Sequence, residues 1–174
     1  MKNILITGAP GSGKTTIIKK LFEIFKEFNP VGFYTSEIVE NGVKKSFELV
    51  SSYGDSRILA SIALKSRYVV GKYKVDVKGF DEFLENIFAR EKKTGLYIFD
   101  GITKMECQSR KFPKLITERL NAEKPVVASI AHKGPGFISD IKKRDDIKLV
   151  ELNEDNFNQR LKELTMQLRD ILLG

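Results

Sequence analysis

Apolar residues fall along this chain in two alternating rhythms. Unbroken runs of four or five alternate with stretches in which apolar positions return every three or four residues. The first rhythm predicts strands buried on both faces, the second helices with one apolar face. Asn3-Ile4-Leu5-Ile6-Thr7 is the first strand. Thr16 to Phe25 reads as a helix carrying Ile17, Ile18, Leu21, Phe22 and Phe25 on one side. Val31 to Thr35, Leu96 to Phe99, Pro125 to Ile130 and Ile147 to Leu152 read as further strands. Helices are predicted over Phe80 to Lys93, Lys111 to Asn121, Gly136 to Lys143 and Glu154 to Leu172, the last with Asn153 as its cap.

One segment breaks the alternation. Ile38-Val39 and Ser46 to Val50 flank Glu40-Asn41-Gly42-Val43, and Asn-Gly between strand-like runs predicts a hairpin. Residues 51–79 read only as strand and loop. The whole is an α/β pattern: a mostly parallel sheet covered by helices on both faces, with an inserted antiparallel hairpin. Ligands in such sheets bind at the carboxyl ends of the strands.

Composition narrows the class. A chain of 174 residues is expected to form one domain over 1–174. Its 41% hydrophobic and 30% charged residues suit a soluble protein, and no apolar run is long enough to span a bilayer. The first strand begins almost at Met1 without a signal-peptide pattern, and Cys107 is the sole cysteine. A cytoplasmic setting is expected. Abundant Lys and Glu with little Gln hint at a thermophile. The net charge of +7 leaves a nucleic-acid partner open without favouring it, because the basic residues are interleaved with acidic ones. Even Lys142-Lys143-Arg144 is followed at once by Asp145-Asp146.

Between the first strand and the first helix stands Gly8-Ala9-Pro10-Gly11-Ser12-Gly13-Lys14-Thr15, followed by Thr16. This is G-x-x-x-x-G-K-[ST], the phosphate-binding P-loop, in its proper strand–helix setting. Gly8, Gly11 and Gly13 let backbone N–H groups converge on an anion at the positive end of a helix. Lys14 is expected to reach the β- and γ-phosphates, the Thr15 hydroxyl to ligate Mg²⁺, and Thr16 to add an α-phosphate contact. A P-loop NTPase fold is therefore expected.

A second element fits the first. Leu96 to Phe99 ends in Asp100, and an aspartate closing a strand beside the P-loop strand can hold the Mg²⁺ shell, the Walker B arrangement. Gly101, Ile102 and Thr103 continue the nucleotide-facing loop. Beyond them, Lys104 is placed to touch a γ-phosphate and Glu106 to orient water; the plain alternative for both is a solvated loop pair. His132, the only histidine, follows a strand and reads as a rim or surface residue. Arg110, Arg119, Arg144 and Arg160 are arginine-finger candidates among which nothing in the sequence selects.

These pieces together resemble the small thermostable nucleoside triphosphatases, a P-loop group with a variation of the RecA-like fold. The resemblance runs through nearly the whole chain. It rests on Gly8 to Thr16, Val31 to Glu37, Val70 to Val77, and Phe99-Asp100-Gly101-Ile102-Thr103-Lys104-Met105-Glu106 with Phe112. It implies a Mg²⁺-dependent enzyme that hydrolyses ATP, GTP and other nucleoside triphosphates to diphosphate and phosphate.

The chain departs from the family pattern at one chemically loaded place. Where the family reads Asp-Glu-Ile-Gly-Lys-Met-Glu, this sequence has Asp100-Gly101-Ile102-Thr103-Lys104-Met105-Glu106. The glutamate expected to polarise the attacking water is absent. Ser36 also stands where an acidic residue is common, although Glu37 is kept. Slow hydrolysis is expected, with Glu37 or Glu106 as substitutes, and Gly101→Glu should raise turnover if the loop can take the side chain. The competing readings are a nucleoside or small-molecule kinase and a nucleotide-dependent, RNA-associated switch.

Overall fold

On the first strand, β1 (Asn3–Thr7), Ile4 and Ile6 face one apolar cluster and Leu5 faces another. The same split recurs on β7 (Tyr97–Ile102) and β8 (Val126–Ile130). Ile98 and Val127 belong with Ile4, while Phe99 and Ala128 belong with Leu5. Strands with apolar residues on both faces need cover on both faces. In the computed structural model, which describes residues 1–174, helices supply it. Helices α1 (Lys14–Ile24) and α5 (Phe157–Leu173) bring Ile17, Ile18, Leu21, Leu164 and Leu168 to the Ile4 side. Helices α2 (Val77–Ala89), α3 (Lys111–Asn121) and α4 (Phe137–Ile141) bring Phe80, Phe83, Ile116 and Ile138 to the Leu5 side.

The sheet has nine strands in the order β5-β6-β4-β3-β2-β7-β8-β1-β9. Here β2 is Val31–Glu40, β3 Val43–Ser51, β4 Ser56–Ser61, β5 Val69–Val70, β6 Tyr73–Val75 and β9 Ile147–Glu151. Strands β2, β7, β8, β1 and β9 are parallel, and β3 to β6 pair antiparallel. The expected mostly parallel sheet and hairpin are both present. Asn41 and Gly42 form the hairpin turn with φ of 52° and 76°, the doubly positive geometry that favours Asn-Gly.

The antiparallel part is larger than a hairpin. Val31–Thr35 and Ile38–Val39, which read as two strands, are one ten-residue strand: its start pairs with β7 and the rest with β3. Residues 56–75 then add three more strands at the sheet edge. They were hard to read because β5 and β6 are two and three residues long, too short to show a period. Asp76 caps α2 by accepting from Gly79 N–H at 2.9 Å, so that helix begins at Val77 rather than Phe80. At the last helix Asn153 accepts from the N–H groups of Asp155 and Asn156 at 2.9 Å each, organising a turn, and α5 starts only at Phe157. No helix is long and apolar enough to cross a membrane.

Candidate phosphate-binding site

The loop 8–13 leaves the carboxyl end of β1 and enters α1. Gly11 and Gly13 have φ of 81° and 100°, values a side chain would strain. Gly8 is needed for room: a Cβ there would lie 2.4 Å from the Leu152 carbonyl and 2.6 Å from Ser12 Oγ. Ala9, Pro10 and Gly11 form the exposed tip. Ser12 is buried, and its Oγ has no hydrogen-bond partner. An unmet buried hydroxyl inside a ring of backbone amides suits an anion that would satisfy it. Lys14 Nζ donates to the Gly8 carbonyl at 2.5 Å, folding back over the loop. Burial holds its pKa below the usual lysine value, against the opposing pull of Asp100. Thr16 is exposed at the first turn of the helix.

Asp100 is the hub opposite this loop. It is only 5% exposed and every one of its oxygens is engaged. Oδ2 accepts from Thr15 Oγ1 at 2.8 Å and from the N–H and hydroxyl of Thr35 at 3.3 Å each. Oδ1 accepts from Ser129 Oγ at 2.6 Å, and the Thr35 hydroxyl also lies 3.2 Å from the Asp100 carbonyl. Four elements thus converge: α1, β2, β7 and β8. Thr15 Oγ1 beside Asp100 Oδ2 is an all-oxygen donor pair, one hydroxyl and one carboxylate. Such a pair fits Mg²⁺ shared with substrate phosphates rather than a soft metal.

The sequence did not single out Thr35 and Ser129, since both sit inside buried-strand runs and match no motif. Lys142 was missed as well. Its ammonium leaves the basic Lys142-Lys143-Arg144 run and donates to the carbonyls of Ala131 and His132 at 2.7 and 2.8 Å. Burial lowers its pKa, and its charge is felt by Lys14. Arg144 turns instead to Asp146 at 2.7 Å, so the run makes no continuous basic stripe.

The peptide between Asp100 and Gly101 is cis. Gly101 is buried, and a Cβ on it would lie 2.1 Å from Ser129 Oγ and 3.0 Å from Ser129 O. Ile102 faces the core, and its carbonyl accepts from Ala131 N–H at 3.0 Å. Thr103 donates both its N–H, at 3.2 Å, and its hydroxyl to Glu106 Oε2. Glu106 is 2% exposed, so it is not a solvated loop residue. Burial pushes its pKa up to about 7, with Asp100 adding to the rise and the Thr103 hydrogen bonds opposing it. Lys104 is exposed and lines the same cavity as Glu106. Glu37 stands exposed on the hairpin, paired with Lys44 at 3.1 Å.

The remaining candidates separate by position. Arg119 is held by Glu91 at 3.4 Å, and its guanidinium lies over the rings of Phe88 and Tyr97. Tyr97 opens β7, so Arg119 lies at the amino end of the sheet, away from the loop. Arg144 is also at that end: its partner Asp146 takes a hydrogen bond from Asn3, at the start of β1. Arg110 is exposed ahead of α3. Arg160 donates to the Glu151 carbonyl at the end of β9, beside the loop. His132 is exposed.

The NTPase family model matches residues 3–165. The chain belongs to the NTPase family. Among its NTPase relatives, nucleoside-triphosphatase THEP1 of Thermotoga sp. (strain RQ2) is 42% identical over 170 residues, 95% of both chains. The crystal structure of THEP1 from the hyperthermophile Aquifex aeolicus superposes with a TM-score of 0.86 at 30% identity, covering 95% of this chain and 98% of that one. The solution structure of a human cancer-related nucleoside triphosphatase gives 0.82 at 25% identity, covering 98% of both. Family membership and these neighbours agree with the P-loop NTPase fold built from β1, the glycine loop and α1.

Proposed function

We propose that this NTPase hydrolyses ATP, GTP and other nucleoside triphosphates to the diphosphate and phosphate, with Mg²⁺. The observation that carries the reading is the meeting of Thr15 and Asp100 at 2.8 Å beside Lys14 and the loop amides. The N–H groups of residues 11–16 and the Ser12 hydroxyl would hold the β- and γ-phosphates, with Lys14 turning from the Gly8 carbonyl onto them. Thr15 and Asp100 would hold Mg²⁺, whose charge when bound offsets that developing on the phosphate oxygens. Thr35 and Ser129 keep the Asp100 carboxylate fixed in place. Fixed donors and charges contribute more than flexible ones because they need no reorganisation during reaction.

Water activation falls to Glu106 in this reading. Gly101 carries no side chain, and Glu37 is committed to Lys44. Glu106 is buried and has a pKa near 7, where a carboxylate serves best as a general base at neutral pH. Water attacks the γ-phosphorus in line, the bond to the bridging oxygen breaks, and Glu106 takes the proton. Lys104 lines the cavity with Glu106 and the charge of Lys142 is felt by Lys14; both would offset negative charge on the γ-phosphate. Turnover is expected to be slow, because Gly101 stands where the family has the glutamate next to the aspartate.

The test is phosphate release from ATP and GTP with Mg²⁺ and no other acceptor, with Lys14→Ala as the control. Release that vanishes in the variant supports the reading. Equal release from both proteins would remove the loop from the mechanism.

A further inference from the structure

Beside the phosphate site lies a cavity of about 320 Å³ whose walls are not those a water molecule requires. Phe47, Leu59 and Val70 form one side, contributed by three different strands of the antiparallel edge, β3, β4 and β5. Met105 faces them. Thr35 and Glu106 also line it. Thr35 is the residue whose N–H and hydroxyl hold Asp100, so the cavity opens against the group that faces Thr15 and the loop. At the rim stand Lys104 and Lys133, both exposed, and neither makes an ion pair within the chain.

We infer that this cavity is an acceptor site, where a small alcohol with an apolar body and an anionic group replaces water as the nucleophile. The inference rests on the γ-phosphate lying at the loop, as proposed above. Each feature then has a chemical counterpart. Phe47, Leu59, Val70 and Met105 take the apolar body. Lys104 and Lys133 read the anionic end. The hydroxyl end meets Glu106 and Thr35 next to the phosphate site.

The reaction balances without another reagent. The acceptor oxygen forms a bond to the γ-phosphorus, and the bond from that phosphorus to the β–γ bridging oxygen breaks. The nucleoside diphosphate leaves with the bonding pair. The hydroxyl proton passes to the Glu106 carboxylate, and the products are a phosphate monoester and the diphosphate. Hydrolysis is the same reaction with water in the acceptor's place.

The experiment follows the γ-phosphoryl group by ³¹P NMR during turnover of Mg-ATP by the full chain. Runs contain no alcohol, methanol, 1-butanol, or 4-(hydroxymethyl)benzoate. The expected result is a phosphate ester whose yield, per mole of alcohol relative to water, is at least tenfold higher for 4-(hydroxymethyl)benzoate than for methanol. Lys133→Ala should lower the preference for 4-(hydroxymethyl)benzoate over 1-butanol severalfold within the same protein. ATP consumed with all of its γ-phosphoryl group appearing as inorganic phosphate, whichever alcohol is present, would overturn the acceptor site alone. ATP left intact in every run would overturn both the acceptor site and hydrolysis. ATP consumed only when alcohol is present would support the acceptor site and count against hydrolysis.

Discussion

Gly101 and Ser129 share one space at the carboxyl ends of neighbouring strands. A Cβ on Gly101 would lie 2.1 Å from Ser129 Oγ, the same oxygen that donates to Asp100 Oδ1 at 2.6 Å. The glycine therefore does more than omit a carboxylate. It makes room for the hydroxyl that holds Asp100.

This reverses the expected outcome of restoring the family's glutamate. Gly101→Glu must push Ser129 aside and loosen Asp100, so turnover should fall rather than rise. Gly101→Ala isolates the steric part and should cost roughly 1–3 kcal/mol of stability, the usual cost of overpacking. Ser129→Ala removes the opposing oxygen, so the double variant should recover part of that cost. A double-mutant cycle by chemical denaturation measures the coupling, which should be at least about 0.5 kcal/mol.

Lys14→Ala should weaken binding of a non-hydrolysable triphosphate analogue with Mg²⁺ by roughly tenfold or more, and binding of the nucleoside much less. A lysine ammonium reads phosphate, not the base. Isothermal titration calorimetry checks both. Thr15→Ala should instead reduce the dependence of triphosphate affinity on Mg²⁺, because it removes one of the two protein oxygens offered to the ion.

The buried Glu106 carboxyl gives a pH signature. Its pKa stands near 7 in the folded chain and near the ordinary 4.5 when unfolded. Between those values the folded state holds the extra proton. Stability should therefore decline as pH rises from about 4.5 to 7, and Glu106→Gln should flatten that slope in thermal melts without nucleotide. In the enzyme the base must be ionised, so kcat/KM should climb through neutral pH and not near pH 4. The groups that act on this carboxyl are Thr103 and Asp100, Cys107 feels its charge in turn, and Lys104 and Lys133 line the same cavity.

Lys142→Met should slow turnover roughly a hundredfold, the order expected for losing one donor at the developing phosphate charge. Because the side chain also ties down the Ala131 and His132 carbonyls, rate alone does not separate the two roles. The ratio of affinities for triphosphate analogue and diphosphate does: it should shrink in Lys142→Met and recover in Lys142→Arg.

Much of this architecture was legible in the chain because the informative signals were local. The glycine loop, the strand that carries Asp100 and the helix over Lys111–Asn121 need only neighbouring residues to be recognised, although that strand runs on to Ile102 rather than ending at Asp100. The Asn41-Gly42 turn was legible for the same reason. What stayed hidden depends on partners far away in sequence. Thr35 and Ser129 gain meaning only when β2 and β8 flank Asp100, 65 and 29 residues removed. Lys142 looked like part of a basic run until its ammonium met two carbonyls 11 and 10 residues back. The small strands β5 and β6 owe their state to edge pairing rather than to pattern. Glu37 and Glu106 were equal candidates on the page of letters, and burial separates them.

If Glu106 supplies the base that position 101 lacks, steady-state phosphate release from Mg-ATP at neutral pH will separate the parent protein, Glu106→Gln and Glu37→Gln. Glu106→Gln should lose roughly a hundredfold in kcat, the scale of a general base, with KM little changed. Glu37→Gln should stay within about twofold of the parent. Full turnover in Glu106→Gln, or its loss in Glu37→Gln, would contradict the account.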